Sequence, residues 1–400
     1  MSNNASSQQS PSTFLCHGFF NPHDYAGVVN PPVFHASTVL FRNFDDLEVR
    51  SRALSSGEDE VMYYGRFGTP QQFELQNVLA HLEGGHRSLL VPSGLSACVS
   101  AIAAFVKAGD HVLVSSSVYG PTRHFIDVVL TRADISVTYF NPNIGAGIAE
   151  FFRPNTVLVF AESPGSQTFE VQDIPAIAEV AHRRGAVVVL DNTWATPLYF
   201  KAFEHGVDVS VHSATKYIVG HSDAQMGLIT TNSETWQRVR EHVHAAGLHA
   251  APDDVYLAQR GLRTMAVRLE RHQASALAVA DWLAGRPEVE QILHPALPGA
   301  PGHTLWRRDF TGSSGLFSVV LKPRFEKQAF KHFIDSLSLF GIGFSWGGFE
   351  SLVMPFDPQK SRPEYEWPYK GFSFRLQIGL ESPADLIACL DDALRKLHQE

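Results

Sequence analysis

Short apolar runs alternate with stretches of helical spacing through the middle of the chain. The segments 111–114, 136–140, 156–160, 186–191 and 207–211 are compact and rich in Val, Leu, Phe and Ile, and each is followed by loop residues. Between them, 73–80 and 174–184 place apolar residues three and four apart, and Gly185 stops the second. Strands without strict alternation, separated by helices, predict a mostly parallel sheet with both faces covered. In such sheets functional groups collect at the carboxyl ends of the strands.

The pattern changes on either side. Residues 14–66 are rich in Pro, Asn, Phe and Gly and carry little periodic apolar sequence, so they read as an irregular arm that packs on something else. After 260–263 a long helical segment begins, with Leu269, Ala276, Leu277 and Trp282 on its apolar face, and strands are expected at 315–320 and 373–378. The division is therefore 1–66, an N-terminal arm whose first dozen residues are expected to be disordered; 67–262, an α/β domain; and 263–400, a smaller α+β domain. Four hundred residues suit such a plan.

Composition narrows the function classes. A formal charge of −9 argues against nucleic acid and against an anionic membrane surface. No apolar run reaches the length of a membrane span, and the N-terminus lacks a basic segment followed by an apolar one. Three cysteines, Cys16, Cys98 and Cys389, do not make a disulfide framework and fit a reducing cytoplasm. The histidines at 242, 244 and 249 lack a convincing ligand set, so no metal is expected.

Candidate chemistry concentrates where two strands end. The strand at 186–191 closes on Asp191, and Lys216 follows the next strand within Ser213-Ala214-Thr215-Lys216-Tyr217. A lysine amine can condense with the aldehyde of pyridoxal 5'-phosphate (PLP), and a carboxylate can keep its pyridine nitrogen protonated. The cofactor phosphate needs donors. Pro92-Ser93-Gly94-Leu95 leads into a helical stretch whose N-terminus favours an anion, with Gly94 allowing close backbone approach and Ser213 and Thr215 adding hydroxyls. Tyr119, after a strand and turn on the same edge, could stack on the ring. Arg375, between Phe374 and Leu376, is costly in an apolar strand unless paired, and a guanidinium suits a substrate α-carboxylate. The stretch 344–351, with Ser345, Trp346 and two glycines, has the composition of a pocket loop.

Several long motifs, in order, resemble the Cys/Met-metabolism family of PLP-dependent enzymes, and within it the cystathionine β-lyase branch. They are Tyr64-Gly65-Arg66, Glu162-Ser163-Pro164-Gly165-Ser166, Asp191-Asn192-Thr193-Trp194-Ala195, the run 213–223, Arg260-Gly261-Leu262-Arg263-Thr264 and the run 345–352. The resemblance runs from about residue 14 to the C-terminus. It implies the aspartate-aminotransferase-like fold (fold type I), PLP as cofactor, a thioether amino acid as substrate, and a homotetramer of tight dimers with shared sites. By resemblance, Lys216 is the Schiff-base lysine, Asp191 the pyridinium partner and Tyr119 the stacking ring. Gly94, Leu95, Ser213 and Thr215 surround the phosphate, which Tyr64 and Arg66 reach from the neighbouring subunit. Arg375 takes the α-carboxylate with help from Ser345. Trp346 points to β- rather than γ-carbon chemistry, because γ-acting relatives commonly carry a smaller residue there. Phe67 and His124 depart from the pattern, at positions expected to face the far end of the substrate. The runner-up activities are those of γ-carbon relatives (a γ-lyase, γ-synthase or sulfhydrylase), and beyond them a non-catalytic regulatory protein on the same scaffold.

Overall fold

In the computed structural model, residues 10–18, 21–57 and 60–398 are described. Seven strands form the larger sheet: β1 (Arg87–Val91), β2 (His111–Ser115), β3 (Ser136–Phe140), β4 (Thr156–Glu162), β5 (Val187–Asp191), β6 (Val209–Ser213) and β7 (Gly227–Thr231). Their order is β1-β7-β6-β5-β4-β2-β3, and only β7 runs against its neighbours. The fold is α/β with a mostly parallel sheet.

The two-residue period of a strand explains how this sheet is buried on both sides. Leu113, Val159, Ala161, Val188 and Leu190 point into one core, with the helix Ile174–Arg183. Val112, Val114, Leu158, Phe160 and Val189 point into the other, with the helix Gly94–Ala103. All ten side chains are essentially inaccessible to water, so neither face can carry charge. Polar chemistry is left to the strand ends. Asp191, Ser213 and Glu162 all stand at carboxyl ends.

A second sheet, of order β10-β11-β12-β9-β8, follows. Its strands are β8 (Val289–Leu293), β9 (Leu316–Leu321), β10 (Gly341–Ile342), β11 (Leu352–Phe356) and β12 (Ser373–Gln377). Phe317, Val319, Phe374 and Leu376 pack beneath the helices Met265–Ala284, Lys327–Asp335 and Pro383–Lys396. The segment between β11 and β12 reaches back to the larger sheet. There Arg362 forms a buried ion pair with Glu170 at 2.9 Å and donates to Ser116 Oγ at 3.1 Å and Thr168 Oγ1 at 2.7 Å.

Two expectations for the N-terminus need correction. Of the stretch expected to be disordered, residues 1–9 lie outside the described residues, but Ser10 caps a helix, Pro11–His17, that buries Phe14 and Leu15. The arm is also not wholly irregular, since it contains the helix Phe44–Ser55. Asn43 caps that helix by accepting from the Asp46 N–H at 2.9 Å. Its apolar periodicity is weak because none of its side chains is buried within the chain.

Candidate active site

The site is assembled at the carboxyl edge of the larger sheet. β5 delivers Asp191, whose Oδ1 accepts from the Thr193 N–H at 3.0 Å and the Thr193 hydroxyl at 2.5 Å. Its Oδ2 faces the buried Cys98 thiol at 3.5 Å. These donors hold the carboxyl group in a fixed orientation. The same Thr193 Oγ1 accepts from the Ser213 N–H at 2.9 Å, which ties the end of β5 to the end of β6.

Lys216 lies in the turn after β6. Its Nζ donates to Ser345 Oγ at 3.0 Å and stands 5.4 Å from the centre of the Trp346 ring. Burial, and then the nearby Arg375 guanidinium, lower its pKa to about 8, while Asp191 pulls the other way. The turn is braced from below by Arg268, which donates to the carbonyls of Tyr217 and Gly261, each at 2.8 Å. Gly220, at φ +72°, is required there, because a Cβ would fall 1.9 Å from the Arg268 guanidinium.

The second sheet closes the site from the opposite side. Arg375, on β12, donates to the carbonyls of Phe344 and Ser345 at 2.6 and 3.2 Å, which fixes the loop carrying Ser345 and Trp346. It has no carboxylate partner among the described residues, and burial lowers its pKa to about 10. A half-buried guanidinium with no counter-ion is a ready receptor for a carboxylate. Trp346 packs on Tyr217 with ring centres 5.6 Å apart. Gly347, at φ +81°, lets this loop lie on the lysine turn, since a Cβ there would be 2.9 Å from the Lys216 carbonyl carbon.

The anion cradle is equally tight. β1 runs parallel to β6 through the intervening β7, so the turn after β1 emerges at the same edge. Ser93 caps the helix Gly94–Ala103 through a reciprocal box with Ser96. A Cβ on Gly94 would sit 2.4 Å from Ser213 Cβ, so only glycine brings this helix N-terminus onto the end of β6. Gly94 and Leu95 occupy its first turn, where backbone N–H groups have no partner within the helix. We expect Gly94→Ala to weaken PLP binding about tenfold or more by displacing this turn, and a cofactor titration of the apoprotein checks it.

Other expected site residues are placed differently. Tyr119 precedes the helix Gly120–Phe125 and is 46% exposed. The Thr215 hydroxyl is engaged with Met226, accepting from its N–H at 3.0 Å. Tyr64 and Arg66 are not brought to Lys216 within the chain. Tyr64 is exposed, and Arg66 donates to the His244 carbonyl at 2.8 Å with its guanidinium 4.3 Å above Phe67. Phe67 itself packs edge-on to His244, and His124 is exposed. Sequence reasoning assigned no role to Cys98, Thr193, Glu162 or Arg268. Asp-x-Thr at a strand end and Glu162 at the end of β4 carried a usable signal; Arg268, inside a helix, carried none.

A sequence model described as Cys/Met metabolism PLP-dependent enzyme matches residues 12–395. The chain belongs to this family. Two similar proteins are the putative cystathionine beta-lyase of Rhizobium johnstonii, 51% identical, covering 95% of this chain and 94% of that protein, and cystathionine beta-lyase MetC of Escherichia coli K12, 43% identical, covering 93% and 94%. The crystal structure of metB from Corynebacterium glutamicum superposes with a TM-score of 0.87 at 30% identity, covering 98% of this chain and 99% of that one. The family's cofactor is PLP, and the residues present fit it. They supply a lysine with a lowered pKa, a braced carboxylate, a glycine-dependent cradle at a helix N-terminus and a guanidinium without a counter-ion.

The lowered pKa has a direct consequence for cofactor capture. Lys216 is mostly protonated below about pH 8 and neutral above it, and only the neutral amine attacks an aldehyde. The rate at which apoprotein captures PLP should therefore rise with pH and level off above about 8. Stopped-flow absorbance measures it. A plateau reached only near the ordinary lysine value would contradict the assigned environment.

Proposed function

We propose that the chain cleaves the Cβ–S bond of L-cystathionine by α,β-elimination, consuming water and releasing homocysteine, pyruvate and ammonia. The observation that carries this reading is Lys216, poised between Asp191 and Arg375 and bounded by the Trp346 ring. The family membership and the lyase relatives support it.

PLP, held by Lys216, Asp191 and the Gly94 cradle, supplies the electron sink that makes a Cα proton removable. The protein's own residues do the rest. Arg375 takes the α-carboxylate, with Ser345 beside it, and so orients the Cα–H bond toward Lys216. Lys216, neutral once its place on the cofactor is taken by substrate, removes the Cα proton. Asp191 holds the proton on the pyridine nitrogen. Lys216 or Tyr119 then protonates the departing sulfur. Trp346 limits how the substrate side chain extends beyond Cβ, which favours departure from Cβ over chemistry at Cγ.

In the assembled enzyme, Tyr64 and Arg66 serve the phosphate of a neighbouring subunit. Their position away from Lys216 in their own chain supports this. The exposure of Leu40, Phe44 and Val49 on the arm supports burial against another copy. The oligomer is a homotetramer, expected at about four times 44.1 kDa by light scattering. Its compartment is the cytoplasm, in keeping with three unpaired cysteines. No helix among the described residues is long and apolar enough to cross a membrane.

The test is stoichiometry. Holoenzyme given L-cystathionine should release one thiol and one ammonia per molecule consumed. Consumption without thiol release would overturn the assignment.

A further inference from the structure

Glu162 ends β4 as Asp191 ends β5, and the two are paired in register, so their side chains leave the sheet on one face. Asp191 is supplied with donors from Thr193 and Cys98. Glu162 is engaged differently: its Oε2 accepts the backbone N–H of Tyr119 at 2.6 Å. The Tyr119 ring and hydroxyl have no partner among the described residues, and the side chain is 46% exposed. The backbone on either side of this contact is firmly held. Ser166 N–H donates to the Ser117 carbonyl at 2.7 Å, and Gly165 lies so close that a Cβ would be 2.5 Å from Ser117 Oγ. Arg362 ties Ser116 to Thr168 and Glu170. The loop before Tyr119 and the turn after Glu162 are thus one braced unit, and the Glu162 carboxyl is its tie to Tyr119.

We propose that Glu162 is a positioning residue for Tyr119, its carboxyl acting as a hydrogen-bond acceptor that fixes the tyrosine backbone and so aims the ring at the cofactor. The proposal rests on the reading that Tyr119 faces the cofactor. It assigns the two neighbouring carboxyl groups different tasks. Asp191 is held by its set of donors. Burial, and then the nearby Asp191, push the Glu162 carboxyl well above the usual carboxylate range, which favours its neutral form. A neutral carboxyl accepts through its carbonyl oxygen, so an amide of the same shape can replace it, whereas an alkyl group cannot.

The experiment is a mutant cycle on the holoenzyme, read by the visible circular dichroism of bound PLP, its release rate and the split between kcat and KM. Glu162→Gln should retain the cofactor within about threefold of the parent. Glu162→Ala should release it about tenfold faster or more with an altered dichroism band, and adding it to Tyr119→Ala should cost nothing further. Should the alanine variant fail to fold, Glu162→Met, which fills the same space without an acceptor, takes its place in the cycle. Effects that add to those of Tyr119→Ala, or a glutamine variant as impaired as the alanine one, would overturn the proposal. Impairment of Tyr119→Ala with an unimpaired Glu162→Ala would overturn the proposal alone. Release at the parental rate from Tyr119→Ala would instead remove the premise that Tyr119 faces the cofactor.

Discussion

Lys216→Ala abolishes turnover: kcat falls by at least about 10⁴-fold while the protein stays folded. The expectation is large because the proposed mechanism gives one amine two tasks. There it would hold the cofactor by a covalent bond and, once released, act as the base facing Cα. Its surroundings are built for both tasks. Burial and Arg375 lower its pKa to about 8, and Ser345 Oγ receives its Nζ at 3.0 Å. The substitution leaves the fold intact, because the turn is held through backbone carbonyls by Arg268 rather than through the lysine side chain. Steady-state rates with L-cystathionine, beside a far-ultraviolet dichroism spectrum, check both halves. Elimination persisting within tenfold of the parent would remove Lys216 from the mechanism.

Arg375→Leu should lower kcat/KM by about 10²–10³, mainly through KM. That is about 3–4 kcal/mol, the scale for losing one partner of a desolvated, hydrogen-bonded charge pair. The guanidinium is already desolvated and has no protein counter-ion among the described residues, so a substrate carboxylate gains the full pairing. A second effect has a definite sign. Arg375 helps to lower the pKa of Lys216, so its removal lets that pKa rise. The plateau for PLP capture by the apoprotein should then move to higher pH. Rate profiles for the parent and the variant test this, and a plateau that did not move would show that the guanidinium lies too far from the amine to act on it.

The central strands were legible from sequence because their apolar runs are short, dense and bounded by turns. Asp191 and Lys216 were legible for the same reason, as polar groups standing where a buried strand stops. β1 and β7, at one side of the sheet, were not. β1 opens on Arg87-Ser88, which leaves Leu89-Leu90-Val91 as its apolar run, and β7 opens on Gly227 and ends in Thr230-Thr231, which leaves only Leu228-Ile229. Gly227 is there because a Cβ would fall 2.1 Å from the Ser93 carbonyl, a packing demand made by a residue 134 positions earlier. The helix Phe44–Ser55 escaped notice because it buries nothing in its own chain. Tyr64 and Arg66 illustrate a further limit. In the proposed assembly they act across a subunit boundary, so their contacts within the chain, such as that of Arg66 with the His244 carbonyl, do not reveal the role, and only the motif pointed to it.

Cys98 shows where local patterns stop being informative, whereas Thr193 and Glu162, beside strand ends, carried a signal that went unread. Cys98 and Glu162 each meet the edge of the site through one side-chain hydrogen bond and Thr193 through three hydrogen bonds, one of them from its backbone N–H, and each is of a residue type found on many strand ends or helix faces. Arg268 is the extreme case. A guanidinium inside a helix reads as a solvated surface residue, yet it is buried beneath the lysine turn and hydrogen-bonded to carbonyls rather than to a carboxylate.

The most direct test of the account is the identity of the keto acid formed from L-cystathionine by the holoenzyme. Pyruvate, appearing together with homocysteine, is the result predicted by a Trp346 ring 5.4 Å from the Lys216 amine. Oxobutyrate appearing with cysteine would contradict it, and would move the chemistry from Cβ to Cγ of the substrate.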